Sequence, residues 1–289
     1  MKKSAGFLDG TVNIQPPADA TAEVNKVVRR VEPLRISTNG EPPVRDCCDV
    51  VVEELLTIMV EGVGNFTLMC TPCDVKALAV GFAFSEGMIS SINDVIEFSY
   101  GPDQHVIGMR LEEPAQSVSG RSLIVTSSSG LCGSRNIDRV ITGQITSGDS
   151  LRIPASLLRE VAEEMHVRQG LFVQTGGTHA AGIFTADGEM IAFGEDIGRH
   201  NALDKAVGKC LMQDLSSAGC GIVLSGRVSL ELIAKAARAG IEIVAAVSAP
   251  SSLAIQAAEQ CNITLCGFVR GQRATVYTHP QRIEELSSL

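Results

Sequence analysis

Residues 175–205 read TGGTHAAGIFTADGEMIAFGEDIGRHNALDK, and here His179, Glu195, Asp196, Arg199, His200, Asn201, Asp204 and Lys205 gather around glycines. Carboxylates and imidazoles can move protons, and a guanidinium holds a fixed charge against an anion. Gly176 and Gly177 let backbone approach a ligand, because no Cβ stands in the way. The plain alternative is a charged turn followed by a solvated helix. The same style recurs downstream. LSGRVS, residues 224–229, ends an apolar run and enters a helical pattern. Free N–H groups and the helix dipole favour an anion there, and Arg227 adds a charge. An N-cap role for Ser225 is the rival reading. FVRGQR, residues 268–273, sets Arg270 and Arg273 around Gly271 at the end of another expected strand. Ligands of open α/β sheets bind beyond strand carboxyl ends. Arg199, Arg227, Arg270 and Arg273 are therefore expected to converge on one anionic ligand.

A nucleophile is sought among the nine cysteines. Cys132 lies in SSSGLCGSRN, a small-residue stretch without periodicity and poor core material. Arg135 or Arg139 nearby would lower its pKa and make a thiolate available. Cys210, Cys220 and Cys266 sit in apolar surroundings and are expected to pack. Cys70 and Cys73 form a C-x-x-C, which alone is half a zinc site or a redox pair. A second such pair is missing, so both are expected as small fillers. His179 and His200 are expected to hydrogen-bond rather than to ligate, and no metal is expected.

The bulk numbers narrow the classes. A chain of 289 residues, 45% of them hydrophobic, is enough for about two domains. A net charge of −9 argues against a general nucleic-acid binder. Zero Trp and two Tyr argue against an aromatic platform for single strands. No run approaches the roughly 20 apolar residues of a membrane span. The opening MKKSAGFLDG lacks the apolar core of a signal peptide. A cytoplasmic protein with reduced thiols is expected.

These residues must be positioned by elements. Residues 1–44 read as a loose leader with a short strand around 24–35. Strands are expected at 50–60, after Gly64, at 95–112 and at 120–126, with a helix over 73–89. The amphipathic stretch 154–169 is a helix with Pro154 in its first turn. GLFVQTGG reads as a strand, and AAGIFTADGEMIAFG as two more joined by ADGE. Helices and strands then alternate: NALDKAVGKCLMQDL, CGIVLSG, VSLELIAKAARAG ending at Gly240, IEIVAAVSAP, SSLAIQAAEQC capped by Ser251 or Ser252, ITLCGFVRG and RATVYT. The fold class is α/β. A layered α/β/α domain over 151–289 follows a smaller, strand-rich lobe over 45–150 that includes the Cys132 loop.

With these residues laid out, the chain resembles the FdhD family of formate dehydrogenase accessory proteins. The resemblance runs through CTPCDVKALAVGFAFSEGMI, the 129–133 loop, TGGTHAAGIF, GEDIGRHNALDKAVG, LSGRVSLELIAKAARAGI, AAVSAPSSLAI and GFVRGQRATVYT. It implies a cytidine-deaminase-like C-terminal domain used without zinc chemistry, and a homodimer. It also implies a sulfur carrier, or sulfurtransferase, acting before cofactor insertion. Persulfide sulfur would pass from a cysteine desulfurase to the molybdenum bis(molybdopterin guanine dinucleotide) cofactor of formate dehydrogenase. Carried over by motif, cofactor binding falls on Phe268, Val269, Arg270, Gly271, Gln272 and Arg273. It extends to Ser225, Gly226 and Arg227, to Thr175, Gly176, Gly177 and His179, and to Arg199 and His200. The persulfide falls on Cys132. The family's loop is C-G-x-C-G, and this chain has Ser129 at the first cysteine. A serine hydroxyl cannot form the S–S bond of a relay. A cofactor-binding chaperone without sulfur transfer is the alternative. A nucleoside deaminase is a weaker one, and it predicts bound zinc.

Overall fold

A computed structural model describes residues 27–101, 105–112, 123–125 (backbone alone) and 145–288 of the chain. The expected loop 129–133, with Cys132, lies outside the described residues.

Alternation of apolar and polar residues makes the N-terminal strands. β1 (Val28–Val31) pairs antiparallel with β4 (Cys48–Val51), and β2 (Leu34–Arg35) with β3 (Val44–Arg45). Residues 28–35, within the expected leader, thus form strands. The single strand expected at 50–60 is two, because β4 belongs to the first ribbon and β5 (Glu54–Val60) to a separate sheet. That sheet is ordered β7-β8-β5-β6-β9, with β6 (Gly64–Cys70), β7 (Val95–Tyr100), β8 (Val106–Leu111) and β9 (Leu123–Val125). Leu56, Ile58, Val60, Phe66, Leu68, Ile107 and Met109 point to one face, the period-2 consequence of the pleat. Helix α1 (Val75–Ser85) covers that face. Asp74 stands before it with φ 51° and gives no side-chain cap; its carboxylate pairs instead with Lys209 at 2.7 Å.

The second sheet is ordered β11-β10-β12-β13-β14-β15. Its strands are β10 (His179–Phe184), β11 (Met190–Asp196), β12 (Gly221–Leu224), β13 (Ile243–Ala246), β14 (Thr264–Arg270) and β15 (Arg273–Thr278). The central β12, β13 and β14 run parallel, joined through α5 (Leu230–Arg238) and α6 (Ser252–Gln260), and hairpins complete both edges. β12 and β13 are buried along their whole length, as parallel strands covered on both faces must be. Helices α4 (Arg199–Met212), α5 and α6 cover one face through Ala202, Leu203, Leu232, Ile233, Ala254 and Ala258. Helix α2 (Ala155–Arg168) covers the other through Leu157, Leu158, Val161 and Met165. Pro154 is the N-cap of α2 rather than a first-turn residue. Ser251 caps α6 by accepting from the Ala254 N–H at 3.2 Å.

The two sheets are held together by α1 and α4, which lie back to back. Both are buried around most of their circumference, because each faces a sheet on one side and the other helix on the opposite side. Gly81 and Gly208 permit the approach: a Cβ at Gly81 would overlap the carbonyl oxygen of Asp204, and one at Gly208 that of Ala77. At the far end Arg282, fully buried, donates to the carbonyl of Gly148 at 2.6 Å and lies 3.5 Å from Glu242.

The expectation for residues 170–177 also fails. GLFVQTGG is not a strand; residues Gly170–Thr175 form helix α3, closed by Gly176 at φ 68°. The reason is a distant carboxylate. Glu195, on β11, accepts from the N–H of Leu171 at 3.2 Å and of Phe172 at 2.7 Å. Those are first-turn amides that a helix of this length leaves without partners.

Candidate functional site

Five charged or amide side chains of the 195–205 motif are buried and hold the fold together. Asp196 and Lys205 are both 0% exposed and pair at 2.7 Å. Asp196 also accepts from the N–H of Thr71 at 3.1 Å, from the N–H of Gly198 at 2.8 Å and from the Asn201 amide at 3.0 Å. Lys205 donates to the carbonyls of Thr71 and Glu195, each at 3.0 Å. Thr71 follows β6 of the first sheet, so the pair ties the two halves together. The neighbouring Asp204 accepts from Lys235 at 2.8 Å and from the Ser85 hydroxyl at 2.7 Å. Charges are buried where other charges and donors satisfy them. Most of this motif is core, contrary to its appearance in the sequence.

Glu195 has a more local task. Besides the two α3 amides it accepts from the Thr178 hydroxyl at 2.6 Å. It thereby fixes α3 and the glycine turn after it, which form one wall of a cavity. Glu195→Gln keeps the shape but removes the charge and turns one of the two accepting oxygens into an amide nitrogen, which cannot accept, so at least the Leu171 N–H loses its partner. It is expected to cost about 1–2 kcal/mol. Amide exchange should accelerate across residues 170–178 while α2 stays protected; unchanged exchange there would contradict the assignment.

That cavity has a volume of about 690 Å³, within the range of small-molecule sites. Three stretches separated in sequence meet at it: Gly176, Gly177 and His179; Ser225; and Val269, Arg270 and Gly271. The fourth wall is α2 with Arg159, Met165 and His166, and Phe172 of α3 closes it. Sequence reasoning missed this wall. Its signal was the spacing 159, 162, 163, 166 along one helix face, which reads as solvated until the helix is docked. Ser225 holds the cavity floor: its hydroxyl accepts from the Ala180 N–H at 2.9 Å and lies 3.3 Å from Nδ1 of His179. Burial, followed by the charges of Arg199 and Arg227, lowers the His179 pKa below the ordinary histidine value, so the ring is neutral near pH 7.

Among the described residues, the four arginines expected to converge do not line one cavity. Arg270 lines this cavity, whereas Gln272 and Arg273 line a neighbouring one of about 610 Å³ across the β14–β15 hairpin. Arg159, Val269 and Gly271 are common to both walls. The reversal at Gly271, φ 58°, turns the consecutive residues of FVRGQR to different sides. Phe268, also at positive φ, is 38% exposed outside both cavities, with the Arg270 guanidinium 5.8 Å from its ring. Thr175 ends α3 and donates to the Leu171 carbonyl at 2.7 Å, and does not line the cavity. Arg199, His200, Gly226 and Arg227 stand apart at the N-termini of α4 and α5.

Cys70, Cys73, Cys210, Cys220 and Cys266 are free thiols, and all but Cys73 are buried. Burial pushes Cys70 up to about 12. It also raises Cys73, although Lys205 lies 3.5 Å from its sulfur. Neither is an activated thiolate. Among the described residues no group of three or more His, Cys, Asp or Glu side chains is placed to hold a metal ion. No helix among them is long and apolar enough to cross a membrane.

Comparison with known proteins accords with this geometry. Residues 51–284 match the profile of the FdhD/NarQ family. The sulfur carrier protein FdhD of Saccharolobus solfataricus is 38% identical over 260 residues, covering 89% of this chain and 98% of that protein. That of Nocardia farcinica is 37% identical over 274 residues, covering 91% and 97%. A crystal structure described as a formate dehydrogenase accessory protein from Desulfotalea psychrophila shares the fold, with a TM-score of 0.73 at 22% identity, covering 89% of this chain and 99% of that one. With a family profile spanning both sheets and relatives of this identity along nearly its whole length, the chain belongs to the FdhD/NarQ family.

Proposed function

We propose that this chain is a sulfur carrier required for formate dehydrogenase activity. It takes persulfide sulfur from a cysteine desulfurase and passes it to molybdenum bis(molybdopterin guanine dinucleotide), its bound substrate, before that cofactor enters formate dehydrogenase. The observation that carries the reading is the cavity. TGG-x-H, SGR and FVRGQR, far apart in sequence, each contribute to one space of nucleotide size with a cationic side chain, Arg270, on its wall. The names of the relatives as sulfur carrier proteins support the chemistry. The sheet with helices on both faces accords with a cytidine-deaminase-like domain over 151–289, beside a strand-rich lobe over 45–150. A cytoplasmic homodimer completes the reading.

The sulfur step is a thiolate exchange. The Cys132 thiolate attacks the outer sulfur of the donor persulfide. A new S–S bond forms, the donor S–S bond breaks, and the donor cysteine leaves as a thiolate. Cys132 then holds the sulfur as a persulfide. Ser129, in place of the first loop cysteine, favours the second reading: a chaperone that binds the cofactor without handling sulfur. Intact mass after incubation with a cysteine desulfurase and cysteine separates them. The carrier gains about one sulfur atom, removable by dithiothreitol and absent in Cys132→Ala. No gain, or a gain that survives the substitution, rejects Cys132 as carrier.

A further inference from the structure

Arg199, His200 and Arg227 are left over once the cavity is accounted for, and they share an unusual electrostatic state. The chain is acidic overall, at −9, yet among the described residues neither arginine has a carboxylate partner. Asp196, the nearest acid to act on His179, is engaged by Lys205, Thr71, Gly198 and Asn201. Nε of Arg199 is buried without a hydrogen-bond partner. His200 is 5% exposed, and its Nδ1 likewise has none. Its Nε2 lies 3.3 Å from the Ser229 hydroxyl. A neutral imidazole accepts on one nitrogen and donates from the other. In the tautomer in which Ser229 donates to Nε2, Nδ1 carries the proton and has no acceptor, so an anion placed there would select that tautomer. Burial, with the charges of Lys235, Arg199 and His179, pushes the His200 pKa down to about 3, so the ring stays neutral at physiological pH.

The surroundings are built to receive an acceptor. α4 starts at Gly198 and α5 at Ser229, and neither N-terminus is capped by a side chain. The free amides of both therefore add to the donors. The Gly226 turn packs directly on His179 and Arg199: a Cβ there would stand 3.2 Å from Nδ1 of His179 and 3.6 Å from Cβ of Arg199. His179 thus faces the large cavity on one side and this cluster on the other. Buried donors without acceptors are costly, and like charges gathered without counter-charge repel. One ligand class answers both: a small tetrahedral oxyanion with two negative charges, which meets two guanidinium groups and accepts from several donors at once.

We propose that the N-termini of α4 and α5 form a second binding site, distinct from the adjoining cavity, for an oxyanion of the phosphate class held by Arg199, His200 and Arg227. The anion has two possible sources: free inorganic phosphate, or a phosphoryl group of a nucleotide lying in the cavity. Only the latter source rests on the reading given under Proposed function.

Calorimetric titration of the full chain with inorganic phosphate, and separately with guanosine diphosphate, tests the site. Arg227 is exposed, so Arg227→Ala should fold normally; Arg199→Ala is the second variant. Saturable phosphate binding that Arg227→Ala and Arg199→Ala weaken by about tenfold or more supports the site. A shift of the His200 Nδ1 proton on phosphate addition places the anion at that nitrogen. Competition between phosphate and guanosine diphosphate identifies the nucleotide as source, as does a nucleotide affinity that falls in Arg227→Ala without phosphate binding alone. Phosphate bound equally with or without the nucleotide identifies the free ion. No saturable phosphate binding, together with nucleotide affinity unmoved by either substitution, overturns the proposal. A protein that binds phosphate but no nucleotide leaves this site standing and overturns the nucleotide reading of the cavity.

Discussion

Asp196→Ala is expected to lower the unfolding free energy by about 3–5 kcal/mol, the cost of leaving a buried charge without its partner. Lys205 would keep only the carbonyls of Thr71 and Glu195 and the Cys73 sulfur at 3.5 Å, all uncharged acceptors, around a fully buried ammonium. Burial disfavours its charged form, yet Asp196 outweighs this and holds the lysine pKa above its ordinary value. The substitution also strands the N–H groups of Thr71 and Gly198, while the Asn201 amide keeps its bond to the Met69 carbonyl. Guanidinium denaturation followed by both far-UV dichroism and tyrosine fluorescence measures the loss. The double variant Asp196→Leu, Lys205→Met removes both charges and is expected to recover much of it, since paired replacement by apolar groups is often close to neutral. A single substitution costing under about 1 kcal/mol would show that the pair is screened by water.

Gly208→Ala is expected to cost on the order of 3 kcal/mol, from overpacking between α4 and α1. The added methyl would overlap the Ala77 carbonyl, and a backbone carbonyl inside a helix cannot rotate aside as a side chain would. The helices must separate, which opens the packing of Leu78, Phe82, Leu203 and Val207 on either side of the crossing. Gly170→Ala is the control. A Cβ there meets nothing within 4 Å, and the site begins a short helix, so that variant should be neutral or slightly more stable. Thermal melts of the two variants compare the effects directly. A Gly208→Ala melt as high as that of Gly170→Ala would mean that the two helices separate without cost and would reject the tight crossing.

Both predictions concern residues that looked like chemistry in the sequence or drew no notice there. The 195–205 motif suggested a reactive loop because charge and glycine were dense. Sequence density cannot distinguish a site from a buried network, because the partners that neutralise Asp196, Asp204 and Lys205 come from Thr71, Ser85 and Lys235. Gly81 and Gly208 are ordinary helical glycines until two helices are crossed over them. His200 and Arg199 were the exception, singled out in the sequence and still holding, in the fold, a buried nitrogen without a partner: Nδ1 of His200 and Nε of Arg199.

By itself the sequence determined the kind of element nearly everywhere that local pattern is strong. The helices at 75–85, 155–168, 199–212, 230–238 and 252–260 and the strands between them follow from apolar periodicity and caps. It also marked the three motifs that meet at the cavity, because glycine beside a cation at a strand end has few other uses. Tertiary structure decided what depends on distant partners. Residues 170–175 became a helix because Glu195 supplied acceptors for its first amides. The arginines separated because Gly271 reverses the chain between Arg270 and Arg273, a direction that composition does not encode. Which charges became core and which remained open to a ligand was settled by where carboxylates came to lie, and that is a property of the packed molecule rather than of any segment.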